Sequence, residues 1–112
     1  MELVKVFKDG TLEVSVKGEI DTVTAPTLEK EVGAELGKAE LLVLNFKDVN
    51  YVSSAGLRVI LSLYKKQGDK NRKFELTHVN AEVMTVLEMT GFTYSTLAMI
   101  PSSAFFTVFH SV

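Results

Sequence analysis

The 112-residue sequence contains no cysteine and no tryptophan, and it has only two prolines and two histidines. Without cysteine there are no disulfides, no thiolate metal sites and no cysteine nucleophiles, as suits a reducing compartment. Apolar runs are short, Leu41 to Leu44 being typical. A helix spanning a bilayer needs about 20 such residues, so no membrane insertion is expected. The opening residues lack the basic, apolar and small-residue pattern of a signal peptide. Charge of one sign is also lacking: a formal net charge of −2 with mixed signs gives no general attraction to nucleic acid or anionic lipid. The expected setting is the cytoplasm, with other proteins as partners.

What is present is ordinary for a folded domain, with 46% hydrophobic and 23% charged residues. The length suits a single domain over 1–112 with a core of its own. Leu3-Val4-Lys5-Val6-Phe7, the turn signal Asp9-Gly10 and the alternating Leu12-Glu13-Val14-Ser15-Val16 predict a hairpin, with Leu12, Val14 and Val16 on one face. Thr24 is placed to cap a helix over 24–37, with Pro26 in its first turn and Leu28, Val32 and Leu36 as its apolar stripe. Gly37 is its expected stop.

The run 41–46 suits a central strand covered on both faces, and 49–52 reads as a connection. A second helix starts at Ser53–Ser54, ends near Gly68 and buries Leu57, Ile60, Leu61 and Tyr64. A strand over 73–79 follows. Asn80 then caps a third helix that turns Val83, Val86 and Leu87 inward and stops at Gly91. A weak strand over 96–99 and a last helix from Pro101, carrying Phe105, Phe106, Val108 and Phe109, complete the pattern. Strands separated by single helices require right-handed crossovers and parallel pairing, while the opening hairpin is antiparallel. The prediction is an α/β fold: a mixed four- to five-stranded sheet with helices packed on it.

Chemistry concentrates at Asn50-Tyr51-Val52-Ser53-Ser54-Ala55-Gly56-Leu57, where two serines stand at the start of the second helix. Three readings fit. Either serine serves as an N-cap. Alternatively one accepts a phosphate, whose charge the free N–H groups and helix dipole favour. The third is a nucleophilic serine, which needs a base and an oxyanion hole. Val52 and Arg58 stand where a Gly-x-Ser-x-Gly elbow would have glycines, and neither His78 nor His110 has a triad setting. The basic residues Lys65, Lys66, Lys70, Arg72 and Lys73 read as a solvated helix end that complements the dipole, and no metal-ligand spacing is present.

Gly18-Glu19-Ile20-Asp21 with Ala25-Pro26-Thr27-Leu28, then Leu44-Asn45-Phe46 with Val52-Ser53-Ser54-Ala55-Gly56-Leu57, then Leu87-Glu88-Met89-Thr90-Gly91-Phe92 resemble, in order, three signatures of STAS domains, the family of bacterial anti-sigma factor antagonists. The resemblance covers residues 1 to about 100. It implies a non-enzymatic regulator without a cofactor. Its dephosphorylated form would bind an anti-sigma factor that is itself a serine kinase, and so free the sigma factor. A PP2C-type phosphatase would reverse the modification. The family's phosphoacceptor falls on Ser54, with Ser53 as the alternative, and the partner surface on Asp21, Thr22, Ser53, Ser54, Ala55 and Gly56. Ser53 and Asn45 stand where the family has aspartates. As an exposed loop residue, Asp21 is expected to affect partner binding more than stability. A constitutive STAS subunit of a lipid-transport ATPase complex is the alternative, and a small serine hydrolase the distant one.

Overall fold

A computed structural model describes residues 1–89. The expected strand at 96–99, the helix from Pro101, the stop at Gly91, the end of the third signature and His110 lie outside the described residues. Strands β1 (Glu2–Lys8) and β2 (Thr11–Ile20) form the opening hairpin in register from Glu2 opposite Lys17 to Lys8 opposite Thr11. Its two-residue turn has positive φ at both Asp9 (51°) and Gly10 (80°). That backbone matches the twist of the flanking strands, and it is why Asp-Gly is a good turn signal.

The chain continues through α1 (Ala25–Gly33), β3 (Leu41–Val52), α2 (Ser54–Asp69), β4 (Lys73–Thr77) and α3 (Ala81–Met89). The strands lie in the order β1-β2-β3-β4, antiparallel for the first pair and parallel for the other two. The expected mixed sheet is thus met with four strands among the described residues, β3 being central. Each step from β2 to β3 to β4 moves one place in the same direction, so two right-handed crossovers put α1 and α2 side by side on one face. The core lies beneath them: Leu12, Val14, Val16, Leu42, Leu44, Phe46, Phe74 and Leu76 from the strands meet Leu28, Val32, Leu57, Ile60 and Leu63 from the helices.

Several local expectations are corrected. The helix expected over 24–37 ends at Gly33. Glu35, Leu36 and Lys38 then donate to the carbonyls of Val32, Gly33 and Glu35, three residues back. These tighter turns keep Leu36 against the core, and Gly37 closes them with a φ of 81°. Gln67, 1% exposed, holds the segment: its Oε1 accepts from Gly37 N–H (3.0 Å), and its Nε2 donates to the carbonyls of Ala39 (3.3 Å) and Lys73 (3.1 Å). On α2 the buried face runs through Leu57, Ile60, Leu63, Tyr64 and Gln67, with Leu61 only half-buried at its flank. The strand expected over 73–79 stops at Thr77, because His78 takes a φ of 56°. Asn80 caps α3 as expected, its Oδ1 accepting from Val83 N–H at 2.8 Å.

The largest correction concerns 49–52, which is not a connection but the end of β3. Over the paired span β2 runs from Thr11 to Ile20 and β3 from Leu41 to Val52, with register shifts between Ser15 and Lys17 and between Gly18 and Glu19. Each shift is a bulge that inserts an extra outward residue. Phe46, Val49 and Val52, spaced by three, therefore all point into the core, where regular alternation would have turned Val49 outward. Asn45 supports the first bulge, its Oδ1 accepting from Lys47 N–H at 2.9 Å. Coverage of β3 is uneven: Leu42, Leu44 and Phe46 are fully buried, while Leu41 and Asn45 on the other face are half-exposed.

Candidate functional site at the carboxyl ends of β2 and β3

The loops leaving β2 and β3 emerge side by side, the usual position of sites in open parallel sheets. They are joined directly, since Ser53 N–H donates to the Ile20 carbonyl at 2.8 Å just past the last pair of the two strands, Ile20 opposite Val52. Asp21 and Ser54 each lie one residue beyond that bond, so the sheet itself sets their spacing.

The β2–α1 loop is organised by Asp21. Its Oδ1 accepts from the N–H groups of Val23 and Thr24, both at 2.9 Å, and lies 3.1 Å from the Thr24 hydroxyl. Its own N–H donates to Thr24 Oγ1 at 2.9 Å, and its carbonyl accepts from Ala25 N–H at 2.8 Å. Thr24 occupies the cap position of α1 but makes no side-chain cap bond; its hydroxyl is 2.8 Å from the Glu19 carbonyl. The expected capping role of Thr24 thus belongs to Asp21, whose carboxylate serves the orphan N–H groups just before the helix. The Thr24 N–H foremost, then the Thr24 hydroxyl and the Val23 N–H, hold the Asp21 carboxyl below its ordinary value, outweighing desolvation.

The β3–α2 junction divides the two serines. Ser53 is the N-cap, extended in backbone (φ −82°, ψ 172°) and half-buried, with Oγ accepting from Gly56 N–H at 3.1 Å. Ser54 is the first residue of α2 and is exposed; its hydroxyl makes no hydrogen bond among the described residues. The N–H groups of Ser54 and Ala55 likewise have no protein partner among those residues, as expected in a first helical turn. Gly56 is buried for a steric reason. A Cβ there would lie 2.7 Å from both the carbonyl oxygen and Cγ2 of Ile20, and 3.0 Å from Val52 Cγ1. Only glycine lets α2 approach the end of β2 this closely.

Of the sequence-predicted residues, Thr22 and Ala55 come together in an open groove of about 380 Å³ between α1 and α2. Ala25, Pro26, Glu29, Arg58, Val59 and Ser62 complete its lining. Asp21 and Ser53 instead hold the loops, and Gly56 spaces them. Sequence reasoning missed Arg58 and Glu29, although Ala55, Arg58, Val59 and Ser62 follow helical spacing. It also missed Val23 (81% exposed) and Tyr51 (50% exposed), apolar side chains left open beside the loops. Tyr51 was hidden by the second bulge, which turns it outward.

Among the described residues no group of histidine and acidic side chains could hold a metal ion, and no helix is long and apolar enough to cross a membrane. No base is hydrogen-bonded to either serine among those residues, so the geometry offers nothing to a serine nucleophile beyond the free N–H groups.

The family model for the STAS domain matches residues 2–105. This chain belongs to the STAS domain family. BtrV of Bordetella bronchiseptica, named as an anti-sigma factor antagonist, is 34% identical over 85 residues, which are 75% of this chain and 73% of that protein. The anti-sigma F factor antagonist of Paenibacillus polymyxa is 31% identical over 84 residues, 73% of this chain and 72% of its own. The crystal structure of an anti-sigma factor antagonist from Mycobacterium paratuberculosis superposes with a TM-score of 0.76 at 30% identity, covering 89% of this chain and 82% of that one. The STAS fold expected from the sequence, hairpin first and helices alternating with strands after it, is therefore the fold of this chain.

Proposed function

We propose that this STAS domain is an anti-sigma factor antagonist switched by phosphorylation of Ser54. The observation that carries the proposal is the division of labour between adjacent serines: Ser53 is half-buried and engaged as the cap, while Ser54 is exposed and unengaged. A kinase needs a hydroxyl it can reach, and Ser54 is the one that offers it. The relatives' names support an anti-sigma factor as the partner class. In the proposal that partner is itself the serine kinase, and a PP2C-type phosphatase completes the cycle.

The physical basis is local. Phosphate adds about −1.5 to −2 charge, and the first turn of a 16-residue helix accommodates it through free N–H groups and the dipole. The fold therefore tolerates the modification. A partner packed over Thr22, Val23, Tyr51 and Ser54 would not, because the dianion would be desolvated against a surface made for a neutral hydroxyl. Val23 and Tyr51 would supply the apolar anchors of that interface.

Incubation with the cognate kinase and ATP, followed by site mapping and a binding titration, tests the proposal. Labelling is expected at Ser54, with affinity for the anti-sigma partner falling about a hundredfold. Labelling at Ser53 would move the acceptor by one residue. Absence of label at both serines, with the true kinase present, would leave a constitutive STAS binding subunit as the function.

A further inference from the structure

Among the described residues, Arg58 is a cation with no partner beside the proposed acceptor. Among the described residues the ion pairs are those of Lys5 with Glu31 and Glu35, and Arg58 makes neither an ion pair nor a side-chain hydrogen bond. It is exposed, and it lines the groove together with Glu29 of α1. Helical geometry fixes its relation to Ser54. At about 100° and 1.5 Å per residue, Arg58 sits about 40° round α2 and about 6 Å along it from Ser54. Ala55, Val59 and Ser62 lie on the far side of Arg58, so Ser54 stands at the groove's rim with Arg58 between rim and centre. Long helical side chains lean back over the preceding turn, which here is the turn of Ser54. An anion four residues before a cation is also the favoured order for a helical pair.

We infer that Arg58 is the internal counter-ion of phosphate on Ser54, so that modification draws the guanidinium out of the groove and leaves Glu29 there alone. The inference rests on the Ser54 switch proposed above and adds its mechanism. Before modification the groove carries one charge of each sign. Afterwards the cation is held at the rim by a guanidinium–phosphate pair, and the groove presents a carboxylate beside a phosphate. Modification thus alters the whole α1–α2 surface that Thr22 and Ala55 share, not only the point at which it occurs. Asp21, in the adjoining β2–α1 loop, is bound by the N–H groups of that loop.

The test installs phosphoserine at position 54 directly during synthesis, so its outcome does not depend on whether a kinase acts there. The second pKa of the phosphate, ordinarily about 6, is followed by phosphorus NMR. Arg58→Gln should raise it by about 0.3 unit or more, the scale of an exposed helical ion pair, and Arg58→Lys should raise it by less. Glu29→Gln should move it the opposite way, by removing a competitor for the guanidinium. That effect should shrink in the Arg58→Gln background. Arg72→Gln, beyond the far end of α2, should leave it unchanged. A phosphate pKa that is the same with and without Arg58 would overturn the inference, and so would equal responses to Arg58→Gln and Arg72→Gln. Either result would leave the Ser54 switch itself standing, whereas absence of kinase labelling at Ser54 would remove the switch without moving these pKa values.

Discussion

The Ser53 N–H and the Ile20 carbonyl, 2.8 Å apart, join the start of α2 to the end of β2. Parallel pairing of β2 and β3 closes at Ile20 opposite Val52, and this bond extends it by one step into the helix cap. Ser54 and the Asp21 loop are therefore fixed to the same end of the sheet, and displacing one displaces the other.

Gly56 tests that coupling. In Gly56→Ala the new methyl would meet the Ile20 carbonyl at 2.7 Å, and backbone has to move to admit it. Overpacking of this kind costs about 1–3 kcal/mol, read as a lower urea midpoint at unchanged m-value. Partner affinity should fall as well, because α2 must shift away from the β2–α1 loop. A variant with wild-type stability would mean that the helix start relaxes freely.

The two serines should separate cleanly in stability. Ser53→Ala removes the oxygen that accepts from Gly56 N–H and should cost about 1 kcal/mol, the usual value of an N-cap. Ser54→Ala removes an exposed, unengaged hydroxyl and should stay within about 0.5 kcal/mol of wild type while abolishing phosphorylation. Denaturation curves paired with kinase labelling decide the matter; equal destabilisation by both variants would contradict the capping assignment.

Asp21 organises its own loop. Its carboxyl is held low, so the stabilisation it provides is complete above the ordinary value of 3.8 and is lost as pH falls through the depressed folded value. In a pH titration by NMR the Val23 and Thr24 amides should move together, with a midpoint below 3.8. Asp21→Asn keeps an Oδ1 acceptor and should preserve the loop at neutral pH. Asp21→Ala should lower the melting temperature and weaken partner binding together, where the sequence led to the expectation of weaker binding with little loss of stability. If the two variants behave alike, the Oδ1 bonds do not organise the loop.

Gln67→Leu keeps the volume of a buried side chain but strands the Gly37 N–H and the carbonyls of Ala39 and Lys73. Leaving a buried group unpaired costs about 1–3 kcal/mol; with the Ala39 bond buried and the other two partly so, a loss of about that size is expected in chemical denaturation. Amide exchange at Gly37 should speed up in the same variant, and unchanged exchange there would refute the bracing role.

Much of this architecture was legible in the sequence because periodicity reports burial. The alternation of Leu12, Val14 and Val16, the run at 41–44 and the Asp9-Gly10 turn each map onto one physical requirement. The end of β3 was not legible. Phe46, Val49 and Val52 are spaced like a helix face or a loop, and the bulges that reconcile them with a strand exist only once β2 lies alongside. The role of Asp21 was hidden for a similar reason: its neighbour Thr24 is an equally good cap by composition, and only the loop's path decides between them. The pair Ser53–Ser54 could be marked because helix starts are chemically distinctive, and the STAS resemblance pointed to Ser54, whereas Arg58 gains meaning only when α1 closes the other side of the groove.

The two bulges also have a consequence for change over time. They give β3 two residues that β2 does not match, both on the outward side, among Lys47, Asp48, Asn50 and Tyr51. Deleting one would remove one bulge without reversing the residues that face inward, since a single spacing of three becomes two; deleting both would return Phe46, Val49 and Val52 to ordinary alternation. The segment leading to Ser54 is thus a built-in length adjuster. It can gain or lose a residue, and so re-aim α2 toward a different partner, while the core beneath stays as it is.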